Sequence, residues 1–262
     1  MTGPGTNTYL VGEDLVAVVD PGPLNEKHLA LIQASAPGRI GYVLATHVHP
    51  DHSRGAASLA SRCGATLCGY SAGRDFAPDL ELRDGDSLEL GPVRLTSLHT
   101  PGHASDHLCY LMEKVHLESG GAARSLLFSG DNVIGGSTAV ISPPDGNMSQ
   151  YMASLERLLS LDPPVDAIAP GHGPVLPDPR GEIEALLAHR RARKRSVAVA
   201  LQQRGKARVD DLVRQVYADV DPRLHELARQ SLWAHLRELA EERAAHCANP
   251  DDIEAVWTTQ RS

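Results

Sequence analysis

Residues 46–52 read Thr46-His47-Val48-His49-Pro50-Asp51-His52 and follow directly on the apolar run Tyr42-Val43-Leu44-Ala45. Imidazole and carboxylate groups packed this densely suit a borderline-soft divalent cation. They become useful ligands only where a strand end delivers them into a shared cleft. His47 and His49 alternate and could reach one ion. Asp51 and His52 sit where the chain turns toward the next helix and could reach a second ion nearby, with Pro50 stiffening the turn between the two pairs.

Three further segments repeat one design, an apolar stretch followed by a glycine turn carrying one ligand. They are Thr100-Pro101-Gly102-His103, Ser129-Gly130-Asp131 and Pro170-Gly171-His172-Gly173. Glycine lets the backbone bend sharply, so the next side chain leaves the strand end and points into the cleft. A Gly-His turn alone is common; all three following the cluster of residues 47–52 point to a metal centre.

Up to about residue 178, short β-rich runs alternate with Gly, Pro and Asp turns. This predicts strands over 8–11, 15–20, 42–46, 66–68, 93–98, 108–112, 125–129 and 167–169, and helices over 26–34, 56–63 and 150–161. Mainly hairpin-linked strands with occasional helices suggest two sheets covered by helices rather than one doubly wound parallel sheet. Beyond the Pro-rich stretch around Pro174 and Pro179 the pattern predicts helices over 182–203, 209–219 and 222–243 and an extended piece over 253–258. That order resembles a winged helix, so the expected domains are 1–178 and 179–262.

The 262 residues are 42% hydrophobic, enough for a sizeable core, and only 4% aromatic, so that core should be Val, Leu, Ile and Ala. No apolar run approaches the ~20 residues of a membrane span. The opening MTGPGTNTYL is not patterned as a signal peptide. Cys63, Cys68, Cys109 and Cys247 are irregularly spaced, which fits a reducing, cytoplasmic setting. Residues 1–178 carry 10 basic against 20 acidic side chains and the rest 15 against 13. An acidic body repels polyanions at long range.

With these motifs in place, the chain resembles the metallo-β-lactamase superfamily over essentially its whole length. The resemblance implies an α+β fold, a four-layer αββα sandwich with the site at one edge and a small C-terminal helical winged-helix-like domain. It implies that His47, His49 and His103 bind a first zinc, that Asp51, His52 and His172 bind a second, and that Asp131 bridges both. Two Zn2+ per chain are expected, with iron or manganese as the alternatives. Asp20 matches an aspartate that stands behind the ligands and orients one of them; read alone, it could equally be a turn residue before Pro21-Gly22. His107, four residues after His103, is a candidate to stand behind the ligands or face substrate, against the plainer reading of a satisfied histidine at a strand start. His99 is expected to be structural.

Departures from the family narrow the branch. Common di-zinc β-lactamases carry a cysteine in place of Asp131, and flavodiiron relatives a glutamate in place of His49. Nucleases with a large inserted domain place it between the equivalents of Asp131 and His172, where this chain has only 40 residues. The segment Gly136-Ser137-Thr138 and then Pro143-Pro144-Asp145-Gly146-Asn147-Met148, with the tail, resembles the lactamase-beta-like-2 branch rather than the glyoxalase II-like one. Relatives of that branch have a strand before Gly5-Thr6-Asn7-Thr8-Tyr9; here four residues precede it, so the strand is missing or the sequence begins late.

A metal-bridging hydroxide attacking a small thioester or ester is the expected chemistry, with Asp51 or Asp131 taking a proton. The alternative substrate is single-stranded RNA, cut by an endoribonuclease of the lactamase-beta-like-2 type. For that reading the run His189-Arg190-Arg191-Ala192-Arg193-Lys194-Arg195 would hold a phosphate backbone instead of forming a solvated helix face. A DNA-binding regulator is a third reading, set aside by the complete ligand set. The tail is expected to serve substrate capture or homodimer formation rather than chemistry.

Overall fold

The computed structural model of the chain describes residues 5–73, 75–115 and 124–259. They divide into two compact units, neither continuous in sequence: Met1–Thr100, Asp106–Thr138 and Leu159–Glu182 form the first, and Pro101–Ser105, Ala139–Leu158 and Ile183–Ser262 the second.

The first unit contains two five-stranded sheets. One is built in chain order from β1 (Tyr9–Val11), β2 (Leu15–Val19), β3 (Arg39–Leu44), β4 (Thr66–Gly69) and β5 (Leu80–Glu81). Only β1 and β2 are antiparallel; β2, β3, β4 and β5 run parallel, with α1 (Glu26–Ser35), α2 (Pro50–Ser53) and α3 (Ala56–Cys63) in the connections. The hairpin-dominated expectation is therefore corrected for this sheet. Its runs are apolar on both faces because both are covered, as parallel strands require. In β2, Val16 and Val18 pack with Leu29 and Ile32 of α1 and Leu59 of α3, while Ala17 and Val19 face the opposite way. Asn25 caps α1 by accepting the His28 amide at 3.1 Å, and Gly64, at φ 61°, ends α3 in the left-handed region.

The second sheet has the order β10-β9-β8-β7-β6, from β6 (Ser87–Leu90), β7 (Val93–His99), β8 (Leu108–Val115), β9 (Arg124–Gly130) and β10 (Ala167–Pro170). It is antiparallel except where β10 joins β9 in parallel. Ala17, Val19 and Leu44 of the first sheet share one core with Leu95, Leu108, Tyr110 and Phe128 of the second. The ligand-bearing turns of residues 47–52, 131 and 172 all follow the C-terminal ends of β3, β9 and β10.

The second unit holds α4 (Met148–Leu159) up to Leu158, α5 (Pro179–Arg204) from Ile183, and all of α6 (Val209–Val216) and α7 (His225–Glu241). A three-stranded sheet accompanies them, with β13 (Trp257–Thr259) central between β11 (Lys206–Ala207) and β12 (Ala245–His246). Val209, Leu212, Val213 and Val216, one stripe of α6, pack with Leu232 and Leu236 of α7 and with the fully buried Trp257. The segment expected as one helix over 222–243 opens with a separate 3₁₀ turn, Pro222–Leu224, capped by Asp221, before α7 begins. Among the described residues no helix is long and apolar enough to cross a membrane.

Candidate metal centre

β3 ends at Leu44, two residues before the expected end, because the chain peels away from the sheet. The Ala45 amide still reaches the Cys68 carbonyl, but the Thr46 amide turns instead to the Asp20 carboxylate at 2.8 Å. Asp20 is buried at the end of β2, held at φ 51°. Its Oδ2 accepts from the Thr46 hydroxyl and from His52 Nδ1, each at 2.8 Å.

These contacts fix ring tautomers. Thr46 Oγ1 spends its proton on Asp20, so it accepts from His47 Nδ1 at 3.0 Å, and His47 presents Nε2. That nitrogen lies 2.9 Å from His49 Nδ1. His52 donates Nδ1–H to Asp20 and presents Nε2. His172 donates Nδ1–H to the Gly5 carbonyl at 3.0 Å and also presents Nε2. One carboxylate thus orients two imidazoles, one of them through a threonine.

The presented atoms converge. His52 Nε2 lies 3.3 Å from His172 Nε2, 3.4 Å from Asp131 Oδ1 and 3.7 Å from Asp51 Oδ2. His172 Nε2 lies 3.3 Å from Asp131 Oδ1 and 3.4 Å from Asp51 Oδ2. A tetrahedral ion with bonds of about 2.0–2.1 Å holds its ligand atoms about 3.3–3.4 Å apart. The four groups therefore have the spacing of a coordination shell, wider than direct charge-assisted hydrogen bonds. His47, His52 and Asp131 form a second group whose ligand atoms lie within 4.8 Å of one another, as do those of Asp51, His52 and His172.

Electrostatics agree with that geometry. Burial alone would raise the Asp131 carboxyl, but His172 and His52 beside it hold it well below the ordinary carboxylate range. Burial likewise opposes charge on His172, yet Asp131 and Asp51 push it up to about 10.

Glycines keep the space open. A Cβ on Gly171 would stand 2.7 Å from His52 Cε1 and 2.9 Å from Asp131 Oδ1, and one on Gly130, at φ 47°, would meet His107 Nε2 at 2.7 Å. His107 is fully buried and accepts the Asp131 amide at Nε2, 3.1 Å away. Its Nδ1 then donates to Thr100 Oγ1 at 3.0 Å, so His107 holds the backbone that carries Asp131. His99 stacks on Tyr70 at 4.1 Å. His103 belongs to the second unit, buried, with Nδ1 donating to the Val140 carbonyl at 2.9 Å.

Sequence reasoning missed Asn7, Tyr9 and Asp106. Asn7 Nδ2 donates to the Pro170 and Gly173 carbonyls at 2.9 and 2.8 Å, and the Tyr9 hydroxyl joins it on Pro170 at 2.8 Å, clamping the His172 turn. Asp106 accepts the Val48 amide at 3.0 Å and so holds the loop between His47 and His49. Asp106 at least stands three residues after His103, whereas Asn7 and Tyr9 lie far from every ligand motif and carried no local signal.

The His/Asp cluster at one end of two packed sheets defines a metal-dependent hydrolase. The sequence pattern of the Metallo-beta-lactamase superfamily matches residues 1–172, and that of the Beta-lactamase associated winged helix domain matches residues 209–246. The chain belongs to the metallo-beta-lactamase superfamily. It is 30% identical over 262 residues to a beta-lactamase-like protein 2 homolog of Drosophila melanogaster, covering 92% of this chain and 84% of that one. It is 28% identical to an atrochrysone carboxyl ACP thioesterase of Cryptosporiopsis, covering 91% and 75%. A metallo-beta-lactamase family protein of Thermus thermophilus shares the fold, with a TM-score of 0.75, 22% identity and coverage of 97% and 94%.

Proposed function

We propose that the protein is a dinuclear zinc hydrolase of acyl thioesters. His47 and His49, with His103 as third ligand, would hold one ion; Asp51, His52 and His172 would hold the other, and Asp131 would bridge them. The observation that carries the reading is the 3.3–3.7 Å spacing of His52 Nε2, His172 Nε2, Asp131 Oδ1 and Asp51 Oδ2. For His103, the Nδ1–H donated to Val140 makes Nε2 the nitrogen offered to a cation.

Bound divalent ions supply an acidified water, of pKa near 7, and polarise the scissile carbonyl. The chain's part is positional. Asp20 and Thr46 hold two imidazoles in the ligating tautomer, and His107 and the glycine turns hold Asp131 at the centre. Asp51 is the more exposed of the two carboxylates, its side chain 39% accessible against 13% for Asp131. That exposure favours Asp51 as the group that exchanges a proton with the reacting water and leaving group.

Thioester chemistry is supported by the thioesterase among the relatives and by the fate of the basic run. Arg190 donates to the Ala139 carbonyl and lies over the Tyr151 ring, and Arg191 pairs with Glu156 at 2.7 Å. Arg193 pairs with Asp219 at 3.0 Å, and Lys194 with Glu238 and Glu242 at 2.9 and 2.5 Å. Four of the five cations are thus engaged within the chain, a poor basis for holding a phosphate backbone. The test is a parallel assay of acyl thioesters and single-stranded RNA at two salt concentrations, with Asp131→Asn as the contamination control. Thioester cleavage that vanishes in Asp131→Asn is expected. RNA cleavage that falls steeply with salt and vanishes in the same variant would replace the thioesterase reading with a nuclease.

A further inference from the structure

Within the second unit, residues remote in sequence direct the His103 ring and hold its turn. Its Nδ1–H is received by the Val140 carbonyl at 2.9 Å. The neighbouring Ala139 carbonyl accepts from the guanidinium of Arg190, a buried side chain of α5 that also lies 5.3 Å from the Tyr151 ring centroid. On the other side, the Ile141 amide donates to Ser231 Oγ of α7 at 3.4 Å. Three consecutive residues, 139–141, are thus tied to two C-terminal helices at both ends, and the middle one faces His103. The turn itself is pinned by α4 and the residue before it: the Asn147 amide donates to the Gly102 carbonyl and Ser154 Oγ to the Pro101 carbonyl, each at 2.8 Å.

We propose that Arg190 is a positioning residue for His103, and that α5 and α7 thereby set the occupancy of one of the two metal sites. The proposal rests on His103 being a ligand of the ion held by His47 and His49. Arg190 holds the Ala139 peptide, that peptide fixes the direction of the next carbonyl, and the Val140 carbonyl selects both the tautomer and the orientation of the ring. Acceptors behind a ligating imidazole commonly govern metal affinity by ten- to a hundredfold. The C-terminal helices then do more than the substrate capture or dimerisation expected of the tail.

The test uses full-length protein stripped of metal and titrated with zinc against a chromophoric chelator, with circular dichroism as the check on folding. Arg190→Met should weaken one of the two binding events by about tenfold and leave the other unchanged. Arg190→Lys, which keeps a donor for Ala139, should recover part of the loss. His103→Ala should abolish the same event that Arg190→Met weakens. A folded Arg190→Met protein that binds both ions with wild-type affinity, or loses affinity equally at both, overturns the positioning role while the ligand assignment stands. If His103→Ala keeps both ions, the ligand assignment falls and the proposal with it. Should Arg190→Met not fold, Ser231→Ala decides: a selective weakening of the same event supports the proposal, and unchanged affinity overturns it.

Discussion

Asp20 shows how much of the centre depends on one side chain that touches no ion in the proposed arrangement. Its carboxylate receives the Thr46 amide, the Thr46 hydroxyl and His52 Nδ1. It does so from a left-handed backbone position that costs a non-glycine residue roughly 1–2 kcal/mol. An asparagine there would present an NH2 group to at least one donor, so Asp20→Asn should lower zinc affinity ten- to a hundredfold. Elemental analysis after dialysis against dilute chelator measures this; a variant that retains both ions as wild type does would sink the idea. The His and Asp side chains that converge in the structure were legible in the sequence because His and Asp beside glycine turns are strongly typed. Asn7 and Asp106 were not. Each acts by bonding a backbone group, in Asn7's case 163 residues away, and no local pattern records such a partner.

At the scale of elements, long apolar runs were legible and short strands were not. β2, β7, β8, β9 and β10 appeared within a residue or two at most limits, whereas β5, β11 and β12 have two residues each and no periodicity to read. The parallel order of β2, β3, β4 and β5 was hidden because a buried strand has the same composition in either direction. In α7, His235 is fully buried with Nδ1 bonded to Glu238 at 3.0 Å. Burial lowers its pKa below the usual 6.5, against Glu238, which raises it, and with Arg190 and Lys194 lowering it further. A depressed folded value means the unfolded chain takes up its proton first. The stabilising difference is therefore whole above about pH 6.5 and is lost as pH falls from there through the folded value. Both tryptophans, Trp233 and Trp257, lie in this unit's core, so their fluorescence reports its urea unfolding. The midpoint should drop between pH 7.5 and 5.5, and by less in His235→Gln; equal drops in the two proteins would refute the assignment.

For the whole molecule, bound ions act as a ligand of the folded state alone. Loading at about a thousand times the dissociation constant contributes about 4 kcal/mol. For a chain of this size that corresponds to a Tm roughly 10 °C above that of the chelated protein. Scanning calorimetry with and without chelator tests it, and an unchanged Tm would mean that the centre holds no tightly bound ion.

The clamp of Asn7 and Tyr9 on the Pro170–Gly173 turn also orders events during biosynthesis. Translation at about 5–20 residues per second puts residues 47–52 outside the ribosome seconds before His172 exists. Through that interval the nascent chain displays three histidines without the final turn that would complete a shell. Closing the loop between residues 7 and 170 is among the last contacts such a long-range topology can make. In the proposed arrangement the shell around the ion of Asp51, His52 and His172 would close only on a nearly finished chain, and an ion met earlier would find only the His47–His52 stretch, from which it could still escape.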